Sequence, residues 1–509
     1  MNTPIPRTSA AVAGIAAGGF AVTIGMVAAA ITEVVSPIDA VGSEVIDRVP
    51  PWVKEQAIDW FGTDDKLALR IGIVSILVLA AIAVGLLAAR RIWWGVAGIA
   101  AFGVIGSLAA TNRANQTIGA AFPSILGAVA GALVLYRMVQ PPLAHSGSNS
   151  KEAADWDRRR FLVTGSATAA GAVVAGGMAK GIEERRVDQI RESIRTPLPD
   201  TLAETEMQDI PPDAELFDET PYITPNDEFY RIDTALTFPN VDIESWSFEI
   251  KGMVDTPLRF TFADLLAMPQ EERVVTLCCV SNEVGGDLIG NAVFRGVMLR
   301  DLLEKAGVQA GAEQVFSTSL DGWTCGFPID VALDGRDAMV AIGMNGETLP
   351  LEHGYPARLV VPGLYGYVSA TKWLAEIKLT TWAQDEGYWV PRGWSALGPV
   401  KTQSRIDVPR TRTVKAGKQA IAGVAWAQHR GVEQVEVQID DGAWQLATLA
   451  ADVSIDTWRQ WLLEWTPTPG KYTLRVRATD QTGETQTEEE APVAPDGATG
   501  YHTISVTVE

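Results

Sequence analysis

Apolar residues are concentrated in the first 140 residues of the chain, where four long runs carry almost no interior charge. These runs cover residues 10–31, 71–89, 92–110 and 118–139. Each is about long enough to cross the hydrocarbon core of a bilayer as an α-helix. Four such runs in succession are uncommon in soluble domains, so the pattern predicts a four-span transmembrane domain over residues 1–140.

Positively charged residues flank these runs on one predicted side of the membrane. They are Arg7, Arg90, Arg91, Arg137 and Lys151. The first long loop, residues 33–66, is mostly acidic instead. Because Lys and Arg are retained on the cytoplasmic side, this distribution predicts that the N-terminus, the second loop and residues 140–160 lie in the cytoplasm.

Three consecutive arginines precede a fifth, weaker apolar run. In the segment DWDRRRFLVTGSATAAGAVVAGGMAKG, Arg158, Arg159 and Arg160 are followed directly by Phe-Leu and an Ala/Gly-rich stretch. This arrangement is typical of a twin-arginine export signal, here within a cytoplasmic linker and fifth span over residues 141–181. The alternative is an ordinary fifth span with cytoplasmic arginines. Both interpretations predict that the rest of the chain lies outside the cytoplasm, and only the first predicts export of an already folded domain.

The pattern after the fifth run is that of a linker and a folded domain. Residues 182–221 are charged and rich in proline, which predicts a linker. Residues 222–404 mix short β-type runs such as SWSFEIKGM with helical runs such as VMLRDLLEKAGV, without regular alternation. We therefore expect an irregular α+β domain over this stretch.

The last stretch, residues 405–509, alternates apolar and polar positions with a period of two. Val435 and Val437 alternate with acidic or amide residues before an Asp-Asp-Gly turn, and the run from Tyr472 to Ala478 has the same pattern. Strands at this spacing over about a hundred residues predict an all-β, immunoglobulin-like sandwich.

Charge and cysteine content narrow the function. A net charge of −21 without a Lys/Arg cluster in the soluble part argues against nucleic-acid binding. The chain has three cysteines, the adjacent pair Cys278 and Cys279 and the distant Cys325. A disulfide between Cys325 and one of the pair is one interpretation, and a nucleophile paired with His353 is another. Zinc and covalent haem lack their ligand spacing, whereas a thiolate that binds a thiophilic metal carried by an organic cofactor needs only one cysteine.

Three segments carry a family resemblance. ITPNDEFYRIDTAL, TLCCVSNEVGGDLIGNAVFRGVMLRDLLEKAGV and MNGETLPLEHGYPARLVVPGLYGYVSATKWLAEI occur in this order and precede the predicted sandwich. Together they resemble the sulfite oxidase family of molybdopterin enzymes, including its membrane-anchored bacterial members, over residues 222–509. The family motif, Cys followed by two small residues and Asn, matches Cys279 through Asn282. The resemblance makes Cys279 the catalytic molybdenum ligand and Cys278 its buried neighbour.

The resemblance also implies the architecture and the cofactor. The expected fold is an α-helical membrane anchor, an α+β molybdopterin-binding domain of the sulfite oxidase type and a C-terminal immunoglobulin-like sandwich. The expected cofactor is molybdenum held by a single molybdopterin. The residues that match the family's cofactor contacts are Asn226, Tyr230, Arg231, Ser319, His353, Arg358, Ser369, Thr371 and Lys372.

The site also departs from the pattern of sulfite oxidases. Where those enzymes carry two arginines after the motif, this chain has Glu283 and Val284, and Ile342 stands where they place a tyrosine. Their substrate arginine aligns with Ile232 unless the loop uses Arg231. Because a small dianion needs several cations to bind, a sulfoxide or N-oxide is at least as well suited as sulfite.

The family resemblance and the residues of the predicted spans also imply the partners of the protein. They are a small-molecule oxygen donor or acceptor, membrane lipid and a separate electron-transfer protein, since no predicted span contains a histidine that could ligate haem. Family sandwiches often dimerise, which leaves a homodimer open. A function from another class stays in view: a non-catalytic membrane-anchored binding or assembly protein built on the same fold.

Overall fold

The computed structural model describes residues 5–50, 53, 65–113, 117–140, 150–194, 206–239 and 241–509. The chain divides into two compact units. The first, the helical unit, comprises Met1–Ile190 with Ala235–Asn240, and the second, the β-rich unit, comprises Arg191–Thr234 with Val241–Glu509.

The helical unit consists of long apolar helices. Its helices are Arg7–Thr32, Pro37–Arg48, Asp65–Arg90, Ile92–Thr111, Phe122–Val139 and Ser150–Ile194, with a 3-10 turn at Ile118–Ala121. Within the part of the chain that the structure describes, five stretches are long and apolar enough to cross a membrane: Arg7–Thr32, Ala68–Arg90, Ile92–Thr111, Ile118–Val139 and Arg158–Ile190. These stretches agree with the five predicted spans, and the last helix continues to Ile194, inside the stretch predicted as a linker.

Small residues determine the packing of this unit. Helices Arg7–Thr32 and Asp65–Arg90 cross at Gly14 and Gly85, where an added Cβ would overlap a backbone carbonyl oxygen of the other helix. Backbones can approach this closely only without side chains, which is how helices associate where no hydrophobic effect drives them together.

The first half of the β-rich unit contains two mixed sheets. The first sheet comprises β1 (Glu206–Met207), β4 (Glu271–Cys278), β5 (Ile289–Met298), β8 (Met339–Met344), β9 (Glu347–Thr348) and β10 (Arg358–Val360). The strand order is β1-β4-β5-β8-β10, and β9 pairs with β8. The second has the order β3-β2-β11-β6-β7 and comprises β2 (Ser247–Gly252), β3 (Leu258–Thr261), β6 (Gln314–Ser319), β7 (Thr324–Pro328) and β11 (Leu374–Thr380). Short helices connect the strands: Phe262–Ala267, Leu299–Ala306, Ile329–Leu333 and Gly366–Ser369.

One hairpin of the first sheet places the cysteine pair. The last five residues of strand β4, apolar except for Thr276, are all buried, as expected for a strand with neighbours on both sides. It pairs antiparallel with β5, and the register ends with Cys278 opposite Ile289. We call the connecting residues 279–288 the cysteine loop.

The C-terminal part is all β. One sheet has the order β12-β14-β18-β17 and comprises β12 (Gln403–Val408), β14 (Gln419–Trp426), β17 (Thr448–Leu449) and β18 (Arg459–Trp465). The other has the order β13-β20-β19-β15-β16 and comprises β13 (Thr413–Val414), β15 (Val432–Ile439), β16 (Gln445–Leu446), β19 (Gly470–Asp480) and β20 (His502–Val508). The predicted alternation is confirmed in β15 and β19, where Val435, Val437, Leu474 and Val476 are buried. Both sheets contribute to one hydrophobic core.

Candidate functional site

The three cysteines are buried and free, so the interpretation that Cys325 forms a disulfide with one of the pair is wrong. Cys325 instead contacts the hydroxyls of Ser317 (3.3 Å) and Thr371 (3.1 Å). Burial raises the pKa of its thiol to about 11, which keeps it protonated. Cys325 therefore lies in the core as a small apolar residue.

The sulfur of Cys279 lies in a tight turn that supplies a hydrogen-bond donor. The backbone N–H of Ser281 donates to Cys279 Sγ over 3.4 Å. Asn282 N–H donates to the Cys279 carbonyl (3.0 Å), and Asn282 Oδ1 accepts from Leu288 N–H (2.8 Å) across the loop. Burial raises the pKa of Cys279, whereas the Ser281 donor and the positive charge of Lys372 lower it. A positive ligand on the sulfur is therefore needed to make the thiolate its stable form.

Cys278 has a different environment from its neighbour. Its thiol donates to the Cys279 carbonyl over 3.4 Å and is 2% exposed. Burial raises its pKa well above the ordinary value, and the charge of Cys279 adds to the effect. Cys278 ends strand β4 and bonds its thiol to the backbone, whereas Cys279 begins the cysteine loop and its sulfur accepts from Ser281, so the two sulfurs have different partners.

The segment around Asn226 is joined to the Leu351–His353 turn. The Nε2–H of His353 donates to the Asn226 carbonyl over 2.8 Å, and Asn345 donates to Asn226 Oδ1, also over 2.8 Å. Phe229 stacks on Tyr230 with ring centroids 5.2 Å apart and meets the His353 ring edge-on at 5.4 Å. Burial lowers the pKa of His353 to about 4, so its imidazole is neutral at neutral pH. The segment from Asn226 to Tyr230 and the Leu351–His353 turn, which are far apart in sequence, thus pack against each other.

A buried guanidinium contacts the Leu351–His353 turn. Arg358, the first residue of β10, is 5% exposed and donates to the carbonyls of His353 (3.2 Å) and Leu359 (3.4 Å). Its guanidinium also lies over the Phe294 ring at 5.7 Å. Burial lowers its pKa to about 10, and within the described residues it forms no ion pair. An uncompensated buried cation is costly, so the site is suited to an anionic ligand.

A second cation comes from Lys372. Its ammonium donates to Asp233 Oδ2 (2.9 Å) and to the Glu352 carbonyl (3.2 Å), and lies 4.9 Å from the Trp373 ring. Arg231 Nε donates to the same Asp233 oxygen over 2.9 Å. Burial lowers the pKa of Lys372 to about 8. Asp233, which the sequence reasoning missed, neutralises one of two charges and leaves the cluster positive.

Tyr230 links the cysteines to the cations. Burial raises the pKa of its phenol well above the ordinary value, and the charges of Cys279 and Cys278 raise it further, whereas Arg358 lowers it. Arg358 and Lys372 both donate to carbonyls of the Leu351–His353 turn. Phe229, which stacks on Tyr230, packs against that turn and against Gly290, which pairs with the end of β4. The phenol stays protonated.

The three predicted hydroxyl residues are already engaged by the protein. Ser369 Oγ donates to the Tyr365 carbonyl (3.1 Å), and Thr371 Oγ1 contacts Ser317 Oγ (2.7 Å). Ser319 Oγ accepts from the N–H of Asp321 (3.4 Å). Ser369 and Thr371 both lie within three residues before Lys372, and their backbone amides, rather than their engaged hydroxyls, are the groups suited to an anion.

This donor set fits an anionic organic cofactor that carries a thiophilic metal. A single reachable thiol suits a soft metal, and Arg358 and Lys372 suit phosphate or another anion. The amide Nδ2 of Asn282 is buried and has no hydrogen-bond partner among the described residues. An orphaned buried donor next to the thiol is expected where a ligand completes the site.

Comparisons with known proteins agree with this chemistry. Residues 235–389 match the oxidoreductase molybdopterin binding domain. The chain is 30% identical over 271 residues to sulfite oxidase of Arabidopsis thaliana, covering 43% of this chain and 68% of the plant protein. It is 30% identical over 332 residues to human mitochondrial sulfite oxidase, covering 55% and 60%. It is also 36% identical over 157 residues to the uncharacterized oxidoreductase YuiH of Bacillus subtilis, covering 31% and 76%.

A solved structure has the same fold over most of its length. The sulfane dehydrogenase SoxCD from Paracoccus pantotrophus aligns with a TM-score of 0.50 and 25% sequence identity, covering 63% of this chain and 90% of that chain. The chain spans 60% to 68% of the plant and human sulfite oxidases. The matched region of the domain comparison starts at residue 235 and thus excludes the Asn226 segment.

Proposed function

Because this chain belongs to the sulfite oxidase family of molybdopterin-dependent oxidoreductases, we propose that it is a membrane-anchored enzyme that transfers an oxygen atom, in a two-electron step, outside the cytoplasm. Family membership makes it a molybdenum-dependent oxidoreductase. The rest is supported by the grouping of the buried cations Arg358 and Lys372 at the Leu351–His353 turn, together with the positive charge of Lys372, which lowers the pKa of Cys279.

We assign the cofactor contacts as follows. Cys279 is the protein's ligand to molybdenum, and one pterin occupies the positive region around Arg358 and Lys372. The remaining contacts come from Asn226, Tyr230, Arg231, Ser319, His353, Ser369 and Thr371. When bound, the molybdenum cofactor supplies an exchangeable oxo group and a two-electron redox couple. The buried cations support the assignment of the pterin, and the Cys279 thiol supports the assignment of the metal.

The chain's own residues bind, orient and exclude water. The Ser281 N–H stabilises negative charge on Cys279 Sγ. The neutral His353 donates its one ring N–H to the Asn226 carbonyl and so leaves Nδ1 as an uncharged hydrogen-bond acceptor. Tyr230 holds its proton at Oη, so it acts as a hydrogen-bond donor beside the reacting centre. Because Cys279 is only 8% exposed, bulk water has little access to its sulfur.

The proposed substrate is a neutral oxide, a sulfoxide or an N-oxide, and the reaction is a reduction. Ile342 lies in β8 with no exposed surface and offers no polar group, Glu283 is exposed, and Arg231 is bound by Asp233. Arg405, which reaches the cysteine loop, is paired with Asp407, and Arg358 and Lys372 are assigned to the cofactor. A dianion such as sulfite therefore lacks the charges it needs.

The proposed location is the cell membrane, with the catalytic domain on the extracytoplasmic side. Five apolar helices support anchoring, and the distribution of arginines supports the orientation. We propose that Arg158 and Arg159 direct twin-arginine export after the cofactor is inserted. Replacing both with Lys should leave the domain after Lys180 protected from external protease, whereas normal protease access would make these residues plain topology signals.

The electron partner is proposed to be a separate protein. The four histidines of the chain all lie outside the five apolar helices, so the spans offer no haem-ligating imidazole. The purified chain should show no Soret band, and a stoichiometric haem would refute a separate relay.

We also propose that the two C-terminal sheets have an immunoglobulin-like topology, which suits a homodimer contact. The proposed domain limits are 222–404 for the molybdopterin-binding domain and 405–509 for the C-terminal domain.

One experiment tests the proposed function. The full chain is purified from molybdenum-supplied cells, its metal and pterin are quantified, and two reactions are compared: oxide reduction with a reduced dye, and sulfite oxidation with ferricyanide. Stoichiometric molybdenum with faster sulfoxide or N-oxide reduction supports the proposal. Faster sulfite oxidation refutes the proposed substrate, and a folded, metal-free chain favours a non-catalytic binding protein.

A further inference from the structure

The cysteine loop is held from outside by two side chains of the C-terminal sheets. Arg405, in β12, donates from Nη1 to the Gly286 carbonyl over 2.7 Å. His502, the first residue of β20, packs its ring against Gly285, where any added Cβ would overlap the imidazole. Both contacts reach the end of the loop farthest in sequence from Cys279.

Arg405 is itself fixed in one orientation. It is 9% exposed, and its Nε donates to Asp407 Oδ1 over 2.6 Å while Nη2 donates to Asp407 Oδ2 over 3.3 Å. Asp407 Oδ2 also accepts from the Thr220 hydroxyl over 2.9 Å. A guanidinium held by a bidentate carboxylate presents its remaining N–H groups in a defined direction, so the contact to Gly286 does not depend on a freely rotating side chain.

His502 is fixed in a similar way. Its Nδ1 accepts from the backbone N–H of Ile406 over 2.9 Å, next to Arg405 in the chain. Gly285 has φ +78, a conformation that side chains rarely adopt. The ring thus lies against backbone that favours glycine, and the residue that holds the ring, Ile406, is adjacent in β12 to Arg405.

Hydrogen bonds within the loop connect these contacts to the thiol. Gly286 N–H donates to the Glu283 carbonyl over 2.9 Å, and Asn282, the residue before Glu283, donates to the Cys279 carbonyl over 3.0 Å. A displacement of Gly286 is therefore passed through two short hydrogen-bonded turns to Cys279.

We propose that Arg405 and His502 are positioning residues through which the C-terminal sheets set the orientation of the Cys279 sulfur. This inference rests on the proposed function, in which that sulfur binds molybdenum. The C-terminal sheets are then part of the metal site's support, in addition to any role as a contact between subunits.

The test compares three variants of the full chain: Arg405→Met, which keeps length and removes the donor; Arg405→Lys, which retains a charge; and Arg459→Met as the matched control. Arg459 also donates to backbone carbonyls, those of Ala450 and Val432, but does not contact the cysteine loop. The readouts are hydrogen–deuterium exchange of the loop amides and the EPR spectrum of the Mo(V) state.

Loss of a hydrogen bond from a charged donor should speed exchange in the loop by about tenfold or more in Arg405→Met. Its EPR g-values should shift, with intermediate behaviour in Arg405→Lys and none in Arg459→Met. Loop exchange and spectra equal to those of Arg459→Met would overturn the proposal. If Arg405→Met does not fold, Arg405→Lys decides by the same two readouts. A metal-free chain would refute the proposed function, while the exchange comparison would still test the support of the loop.

Discussion

The two units of the molecule bury different kinds of residue. In the described part of the helical unit, the buried polar side chains are Ser124 and Thr168, and helices meet through glycine and alanine. The β-rich unit buries Arg358, His353 and Arg405 together with many hydroxyl and amide groups. Burial of a charged group costs free energy unless the group is paired or binds a ligand of opposite charge.

This difference fits the proposed division between a membrane anchor and a catalytic unit. Ionisable side chains within apolar helices usually mark a functional site, and none is among the buried residues of the described part of the helical unit. In the β-rich unit, Arg405 is paired with Asp407, whereas Arg358 has no ion-pair partner among the described residues, so a bound anion would offset the cost of its burial. Changes in one unit should therefore leave the function of the other intact, and each prediction below probes that separation.

The largest effect is expected from the cysteine pair. Cys279→Ser should reduce turnover to background, because an alkoxide is a harder donor than a thiolate. Cys278→Ser should retain most activity and lose less than about 1.5 kcal/mol of stability, since the volume is nearly unchanged. Steady-state rates and thermal unfolding measure both. An inverted result would make Cys278 the ligand.

The next effect concerns retention of the cofactor. Lys372→Met should weaken it by about ten- to hundredfold, as expected for loss of a group that supports a metal site. Lys378→Met is the control, since Lys378 pairs with Asp385 and not with the site residues. Molybdenum content after dialysis measures the difference. Equal retention in the two variants would mean that Lys372 does not hold the anion.

Acid should destabilise the β-rich unit through two histidines. Burial lowers the pKa of His353 and His502 to about 4, so between about pH 6.5 and 4 the unfolded chain binds protons that the folded chain does not. Stability should fall with falling pH by up to about 1.4 kcal/mol per unit for each histidine. Thermal unfolding of His502→Gln should show a shallower slope, and His429→Gln, with a more exposed ring, serves as control. An unchanged slope in His502→Gln would contradict this cause.

The smallest effect on catalysis is expected from the helical unit. Gly14→Leu should overlap the facing backbone and destabilise that unit by about 1–3 kcal/mol, with no change in the Mo(V) spectrum. Gly19→Leu is the matched control, because an added Cβ there meets nothing within 4 Å. An altered spectrum in Gly14→Leu would show that the two units are coupled.

The sequence predicts those parts of the fold that depend on local patterns. Apolar runs give the five helices, and alternation gives β15 and β19, because both are set by periodicity. The extension of the last helix to Ile194 was not predicted, because its charged, polar end carries no apolar pattern. The family's contacts at Ser369 and Thr371 are made by backbone amides, so the internal hydrogen bonds of both hydroxyls leave that prediction untested.

Long-range partners in the site could not be predicted. The link between His353 and Asn226 spans 127 residues, and that between Lys372 and Asp233 spans 139. Arg405, 119 residues from the carbonyl it contacts, lies in a region whose pattern indicates only a strand. Such contacts depend on how sheets pack, which periodicity does not encode.

X-ray absorption at the molybdenum edge tests the central claim most directly, with the wild-type chain compared to Cys279→Ser and Cys278→Ser. If Cys279 binds the metal, sulfur coordination should fall by one in Cys279→Ser and stay the same in Cys278→Ser. An unchanged sulfur count in a molybdenum-loaded Cys279→Ser chain would contradict the account.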